Sequence, residues 1–185
     1  MKKYVSWLIF TAFATFACQN NPIRYTDKIP AGLRERLIKN RILKPAQLAD
    51  TLVWNADSVT AGSKRIWLIR RRDTGCPSGL CGDLTVMDTA TNKWLFHRTF
   101  PLQQTRDLRI FYRKPGLAVV EYFDASAGQS RYYLVLAGKP AVYRTGRVSA
   151  LYLFKPREID SSRMTFVLFS MQEKFSLTKK WQPVP

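Results

Sequence analysis

Two cysteines lie close together in a segment rich in turn-forming residues. Cys76 and Cys81 are separated by proline, serine, glycine and leucine, and glycines stand on either side at Gly75 and Gly82. Residues of these types favour a tight loop that brings the two sulfur atoms together. The spacing predicts a structural disulfide, which would stabilise the fold by about 2 kcal/mol through loop-closure entropy. A redox-active pair would have a two-residue spacer at a helix start, and this segment has no helical pattern.

The single histidine and the sparse acidic residues give little basis for catalysis. His97 lies in a strand-like segment, and no nucleophile or acid stands at a spacing that would pair with it. Zinc needs four ligands, which one histidine and two cysteines do not supply. Asp83, Asp88, Glu121 and Asp124 fall at strand ends or turns. We therefore predict no catalytic residue, no metal site and no cofactor, and the alternative is a hydrolase whose site is assembled from distant residues.

Arginines share predicted strand faces with aromatic residues. Arg65 alternates onto one face with Trp67, and Arg109 onto another with Phe111. Such a face is either a solvated strand whose long side chains cover apolar surface, or a surface that binds an anionic ligand through guanidinium groups and rings. The candidate anionic-partner surface consists of Arg65, Arg70, Arg71, Arg72, Arg109, Arg113 and Arg131.

The N-terminal residues have the pattern of an export signal. Lys2 and Lys3 precede an uncharged apolar run over residues 4–17, which is shorter than the roughly 20 residues needed to span a bilayer. Cys18 follows Ala17, and the chain then becomes polar. This pattern resembles a bacterial lipoprotein signal peptide. The resemblance implies a signal over residues 1–17 and lipidation of Cys18 to form a stable anchor; ordinary secretion by cleavage after Ala14 or Ala17 is the alternative.

The charge balance indicates an anionic partner. The chain has 30 Lys and Arg against 13 Asp and Glu, a net charge of +17, or +15 once Lys2 and Lys3 are removed with the signal. Such a surface attracts polyanions. Because the N-terminal pattern predicts export, we expect no nucleic-acid partner. We expect instead an acidic partner protein or an anionic envelope polymer, with the lipid anchor attaching the protein to the membrane. Gln19 resembles a signal for outer-membrane sorting, so we expect an outer-membrane lipoprotein of the bacterial cell envelope, facing the periplasm.

The remaining residues predict one domain. Residues 18–29 are predicted to be a flexible tether, and residues 30–185 a β-rich domain that begins with a helical segment. Pro30 suits a helix start, Leu33 and Leu37 share one face, and Pro45 ends the helix before a second short turn.

Alternating apolar residues and turn residues predict strands from Lys64 onward. The predicted strands are 64–72, 83–88, 93–100, 108–113, 117–123, 131–137, 141–144, 150–154, 164–170 and 174–177. Short turns between them indicate a single antiparallel meander, and so many strands favour a barrel or a sandwich over one open sheet. Blade-like sheets are the alternative.

These observations favour a non-enzymatic, lipid-anchored envelope protein that binds an acidic partner through a basic, aromatic β surface. A lipocalin-like carrier of a small ligand is the second hypothesis, and it requires a cavity lined by residues such as Trp67, Phe111 and Tyr133. An envelope hydrolase with a dispersed site is the third, and it requires His97 beside an acid or a nucleophile.

Overall fold

The structure is a computed structural model that describes residues 24–26, 29–49, 53–149, 155–169 and 174–184. Antiparallel strands dominate these residues, together with an α-helix, α1 (Ala31–Lys39), and 3-10 helices at Pro45–Leu48 and Thr105–Asp107. The predicted all-β class with a helical segment near the N-terminus is confirmed.

The described strands form three sheets. The strands are β1 (Arg24–Thr26), β2 (Val53–Ala61), β3 (Lys64–Arg72), β4 (Leu80–Asp88), β5 (Lys93–Pro101), β6 (Leu108–Lys114), β7 (Leu117–Asp124), β8 (Gln129–Leu136), β9 (Val142–Arg144), β10 (Val148–Ser149), β11 (Lys155–Ile159), β12 (Arg163–Phe169), β13 (Lys174–Lys180) and β14 (Gln182–Pro183). The first sheet has the order β1-β2-β3-β4-β5, the second β14-β9-β8-β7-β6 with β10 paired to β8, and the third β11-β12-β13.

The first and second sheets pack face to face. Ile66, Leu68 and Leu84 of the first sheet share one buried core with Val120 and Tyr133 of the second. Because side chains alternate between the two faces of a strand, every second residue of β3, β4 and β7 enters this core. Of the arrangements predicted from the sequence, the described residues show a sandwich.

The outer faces of the two sheets are also covered. Leu37 of α1 packs with Trp67 on the outer face of the first sheet. Met164 of the third sheet and Trp181 pack with Leu134 on the outer face of the second. Each sheet of the sandwich is therefore partly covered on its outer face, and the residues of α1 lie directly above strand β3.

Two strands differ from the sequence prediction near the N-terminus. β1 falls within the predicted tether and pairs with β2, where Arg24 lies opposite Ser58. β2 itself was not predicted, because Asn55 and Asp57 are residue types that strands disfavour. Both side chains bind the guanidinium of Arg70, and this tertiary contact accounts for their presence in a strand.

Other sequence predictions differ less or cannot be compared. Strand β3 has the predicted bounds, and a 3-10 helix begins at Pro45, where a second short turn was predicted. Helix α1 ends at Lys39, several residues before the proline that was predicted to end it. β11 was not predicted. The signal over residues 1–17, Cys18 and the predicted strand 150–154 lie outside the described residues.

Candidate ligand cleft

A cleft of about 360 Å³ lies between the first turn of α1 and the outer face of the first sheet. Helix α1 is held against the sheet further along, where Leu37 packs in the outer cluster. Gly32 has no atom within 4 Å of the position that a β-carbon would occupy, so this turn leaves open space. The lining residues are Pro30, Gly32, Leu33, Arg36, Ser58, Arg65, Trp67, Met87 and Thr89.

Trp67 forms the aromatic part of this cleft. The residue is only 6% exposed, and its indole Nε1 has no hydrogen-bond partner. The guanidinium carbon of Arg65 lies 5.0 Å from the centre of the Trp67 ring, and Nε of Arg65 is also buried without a partner. A buried donor without a partner costs on the order of 1–3 kcal/mol, so both groups favour an acceptor that enters the cleft.

A second guanidinium lines the cleft from the helix. Nη1 of Arg36 lies 3.7 Å from Sδ of Met87, and a thioether is only a weak acceptor. Among the described residues that line the cleft there is no carboxylate. The neighbouring Asp88 accepts a hydrogen bond from the backbone N–H of Ala90, and this bond keeps the pKa of the Asp88 carboxyl below its usual value. The cleft therefore combines two cations, an indole and no compensating anion.

A row of polar groups continues from Trp67 across the outer face. Trp67 on β3 lies opposite Thr85 on β4, and Thr85 lies opposite His97 on β5. Oγ1 of Thr85 and Nδ1 of His97 are buried without hydrogen-bond partners, as is the indole of Trp67. Directly opposite residues have β-carbons about 4.5–5.5 Å apart. Three hydrogen-bonding groups without protein partners thus follow one line across the sheet.

The next row of the same face is a buried ionic cluster. Nε of Arg71 donates to Oδ2 of Asp83 at 2.7 Å, and Oγ1 of Thr99 donates to Oδ1 of Asp83 at 2.5 Å. Arg71 also donates to Asp73, and this bond is the main reason that the pKa of Asp73 is lowered to about 2. Gln47 of the 3-10 helix donates to the same carboxylate. The cluster joins the helical segment to the sheet.

His97 borders this cluster but is not bonded into it through Nδ1. Burial lowers the pKa of His97, the charge of Asp83 opposes that shift, and the charge of Arg71 reinforces it. Both oxygens of Asp83 already accept bonds from Arg71 and Thr99. The arrangement favours a neutral imidazole next to a carboxylate that is already occupied.

Arg70 is the second arginine of the predicted surface that is buried. Its Nη1 lies 2.7 Å from Oδ2 of Asp57, and Nη2 and Nε donate to the carbonyl oxygens of Leu108 and Thr105. Arg70 is 4% exposed and Arg71 is 1% exposed. The expectation that Arg71 belongs to an exposed binding surface is corrected here, because Arg71 is a structural cation that neutralises the buried carboxylate of Asp83. Arg70 likewise neutralises Asp57, and it also lines a second cleft of about 310 Å³ with Arg106 and Arg109.

The other five arginines of the predicted surface do not come together at one site. Arg65 lines the cleft on the first sheet, and Arg72 ends β3 as an exposed residue. Arg109, Arg113 and Arg131 belong to the second sheet, and Arg109 is bonded to Glu121 with its Nε 2.7 Å from Oε2. Of the predicted set, Arg65 is the member that the structure places in a concave site with Trp67.

The predicted disulfide between Cys76 and Cys81 is confirmed, with the two α-carbons 5.9 Å apart. It ties the loop before β4 to a buried strand residue. Gly82 follows, and a β-carbon there would lie 2.7 Å from Cδ1 of Leu102. The glycine predicted from turn chemistry therefore also has a packing role.

The aromatic residues proposed for a carrier cavity are separated. Trp67 packs under α1, Tyr133 lies in the sandwich core, and Phe111 packs on the outer face of the second sheet. Phe100 stacks on Tyr122 and meets the edge of the Tyr133 ring within that core. The space between the two sheets is thus occupied by side chains of the protein at these positions.

In the part of the chain that the structure describes, no three His, Cys, Asp or Glu side chains are grouped so as to hold a metal ion. No described helix combines the length and apolar character that crossing a bilayer would require. Comparison with protein families, curated proteins and solved structures found no match to this chain.

Sequence reasoning placed two of the nine lining residues on one face. The alternation in β3 indicated that Arg65 and Trp67 share a face. Arg36, Ser58 and Met87 were not predicted, because they come from separate elements that only tertiary packing brings together. The basic residues of α1 were visible as a pattern, but no feature of the sequence specified which strand the helix would cover.

Proposed function

We propose that this protein is a lipid-anchored component of the bacterial cell envelope that binds an anionic envelope polymer in the cleft beside α1 and catalyses no reaction. The N-terminal pattern that ends at Cys18 supports export and anchoring. The Cys76–Cys81 disulfide is compatible with an oxidising compartment outside the cytosol.

One observation carries the binding role. Arg36 and Arg65 line the same cleft as Trp67, whose buried indole N–H has no protein acceptor. Guanidinium groups bind carboxylate and phosphate oxygens in a fixed planar geometry, and the indole N–H of Trp67 supplies one further donor. The chemistry fits a ligand unit that has an acidic group and a neutral oxygen acceptor beside it, as an acidic sugar does.

A polymer unit fits this cleft better than an acidic side chain of a partner protein. The volume of about 360 Å³ lies within the usual range of ligand sites. A sugar unit would occupy the space beside α1, with its acidic group between the two arginines and a ring or hydroxyl oxygen available as the acceptor for the buried indole N–H. The slender side chain of an aspartate or glutamate would fill less of this volume and would bring no second acceptor for the indole. Repeated units would also raise the effective affinity of a membrane-held protein.

Calorimetric titration tests this proposal directly. The purified protein is titrated with an oligosaccharide of acidic sugars and with a neutral oligosaccharide of the same length. We expect heat of binding from the acidic oligosaccharide alone, and weaker binding as the salt concentration rises. Binding of a glutamate-rich peptide but not of the acidic oligosaccharide would replace the polymer by an acidic partner protein.

Matched variants locate the binding site. Arg65→Gln should weaken binding of the acidic oligosaccharide by about 10-fold to 100-fold, because a hydrogen bond to a charged group contributes roughly 1.5–3 kcal/mol. Trp67→Phe should weaken it through loss of the indole donor. Arg147→Gln, at an exposed arginine outside the cleft, removes the same charge and should leave affinity unchanged. Equal losses of affinity in Arg65→Gln and Arg147→Gln would show that binding depends on net charge alone, and the cleft would then not be the binding site.

A further inference from the structure

The pairing of β1 shows which end of the sandwich the start of this strand faces. β1 is antiparallel to β2, with Arg24 opposite Ser58 and Thr26 opposite Ala56. The start of β1 therefore faces the end where β2 finishes at Ala61 and turns into β3. We expect an anchor at Cys18 to lie nearest to this end.

Four chain turns meet at that end of the sandwich. They are the β2–β3, β4–β5 and β6–β7 hairpins and the turn that follows β8. Nζ of Lys64 donates to the carbonyl oxygen of Leu136, which links the two sheets. Gly62 has a φ of +61° and approaches Ala137 so closely that a β-carbon at Gly62 would lie 2.7 Å from that of Ala137. The turns thus form one contiguous surface.

This surface carries three exposed lysines. Lys93, Lys114 and Lys139 lie on or beside three of these turns. Lys64 is buried and lies opposite Asp88. The negative charge of Asp88 favours the charged form of Lys64, so these two charges offset each other. We name this surface the lysine end; the opposite end of the sandwich carries carboxylates, such as Asp73 and Asp124, among its basic residues.

The chain between Cys18 and β1 is short. Residues 19–23 separate the two, and six successive residues span at most about 20 Å even when fully extended. An acylated Cys18 would therefore hold the lysine end within about 20 Å of the headgroup layer. Electrostatic attraction acts over roughly 8–10 Å at physiological ionic strength. The lysines are therefore attracted to the headgroup layer whenever the lysine end lies within that distance of it.

We infer that the lysine end is a membrane-contact surface that rests on anionic phospholipid headgroups of the bilayer that carries the anchor. The inference rests on the anchor in the proposed function. It orients the domain, because the cleft includes Thr89 of the β4–β5 hairpin and therefore lies beside the membrane-facing end. An anionic polymer bound there would run close to the bilayer surface.

Lysine accessibility on vesicles tests the inference. The protein isolated from membranes is reconstituted into vesicles of neutral phosphatidylcholine, with or without anionic phosphatidylglycerol, and exposed lysines are labelled with an amine reagent and measured by mass spectrometry. Lys93, Lys114 and Lys139 should be labelled about fivefold more slowly on anionic vesicles, as expected from roughly 1 kcal/mol of attraction per basic residue. Lys44, which lies at the other end beside the segment that contacts Asp73, should be labelled at the same rate on both vesicles.

Matched variants and salt complete the experiment. Protection of Lys139 should disappear in the Lys93→Gln, Lys114→Gln double variant and at 1 M salt, and should persist in the Arg106→Gln, Arg147→Gln double variant. Equal labelling on both vesicles, or equal protection of Lys44, would overturn the inference. The mass of the N-terminal peptide reports the anchor separately: acylated Cys18 with unprotected lysines rejects the membrane contact alone, and an unmodified Cys18 rejects the anchor.

Discussion

Arg71 donates a hydrogen bond of 2.7 Å from Nε to Oδ2 of Asp83, and both side chains are almost completely buried on the outer face of the first sheet. Two charges can be buried in this position because each compensates the other. The pair changes the interpretation of the basic sequence, since the arginines of β3 are divided between a structural role at Arg70 and Arg71 and a ligand-facing role at Arg65.

Removing the charge of Asp83 should strongly destabilise the fold. In Asp83→Asn, Arg71 loses its most buried partner, and breaking a buried ion pair costs about 3–5 kcal/mol. The free energy of unfolding in urea measures this loss. Arg163→Gln removes an exposed pair with Asp160 and should cost less than about 1 kcal/mol. A loss in Asp83→Asn as small as that of Arg163→Gln would contradict the structural role of the pair.

The titration of His97 should be shifted to lower pH in the folded protein. Burial disfavours the imidazolium, so the pKa of His97 lies below its ordinary value of 6.5. Its contribution to stability is therefore fully present above about pH 6.5 and is lost as the pH falls through the folded pKa. Because the chain has one histidine, the two imidazole C–H resonances in a proton NMR titration belong to His97 and report its pKa. A folded midpoint equal to that measured in concentrated urea would be inconsistent with the buried environment.

Gly62 should be intolerant of a side chain. In Gly62→Ala, the new β-carbon meets Ala137 at 2.7 Å and the backbone has a positive φ, so we expect a loss of about 1–3 kcal/mol in urea unfolding. Gly146→Ala, where no atom lies within 4 Å, should be neutral or slightly stabilising. Adding Ala137→Gly to Gly62→Ala should restore the steric part of the loss and leave the part due to φ. Full tolerance of Gly62→Ala would show that the two sheets approach less closely at the lysine end.

The sequence predicted those elements in which the local preferences of the residues match the secondary structure that they adopt. Strand β3 was predicted with its observed bounds because it is rich in β-favouring residues such as Ile66, Trp67 and Ile69, and the disulfide loop was predicted because its turn residues specify closure. Strand β2 was missed because Asn55 and Asp57 are favourable there only when Arg70 binds them. When a residue is favourable in a strand only because a distant side chain binds it, the neighbouring sequence does not indicate that strand.

The candidate site follows the same division. By itself the sequence determined the all-β class, the helical segment, the cysteine pair and the shared face of Arg65 and Trp67, since each depends on residues within one element or one turn. Only the tertiary structure decided which arginines are buried, because burial is set by the carboxylates that packing brings near them. It also decided that α1 lies over β3, which joins Arg36 to Arg65 and Trp67 in one cleft, and that the start of β1 faces the lysine end. These relationships arise from contacts between elements that are far apart in the chain. Alternation and spacing could not predict them, because such patterns relate only residues that are close in sequence.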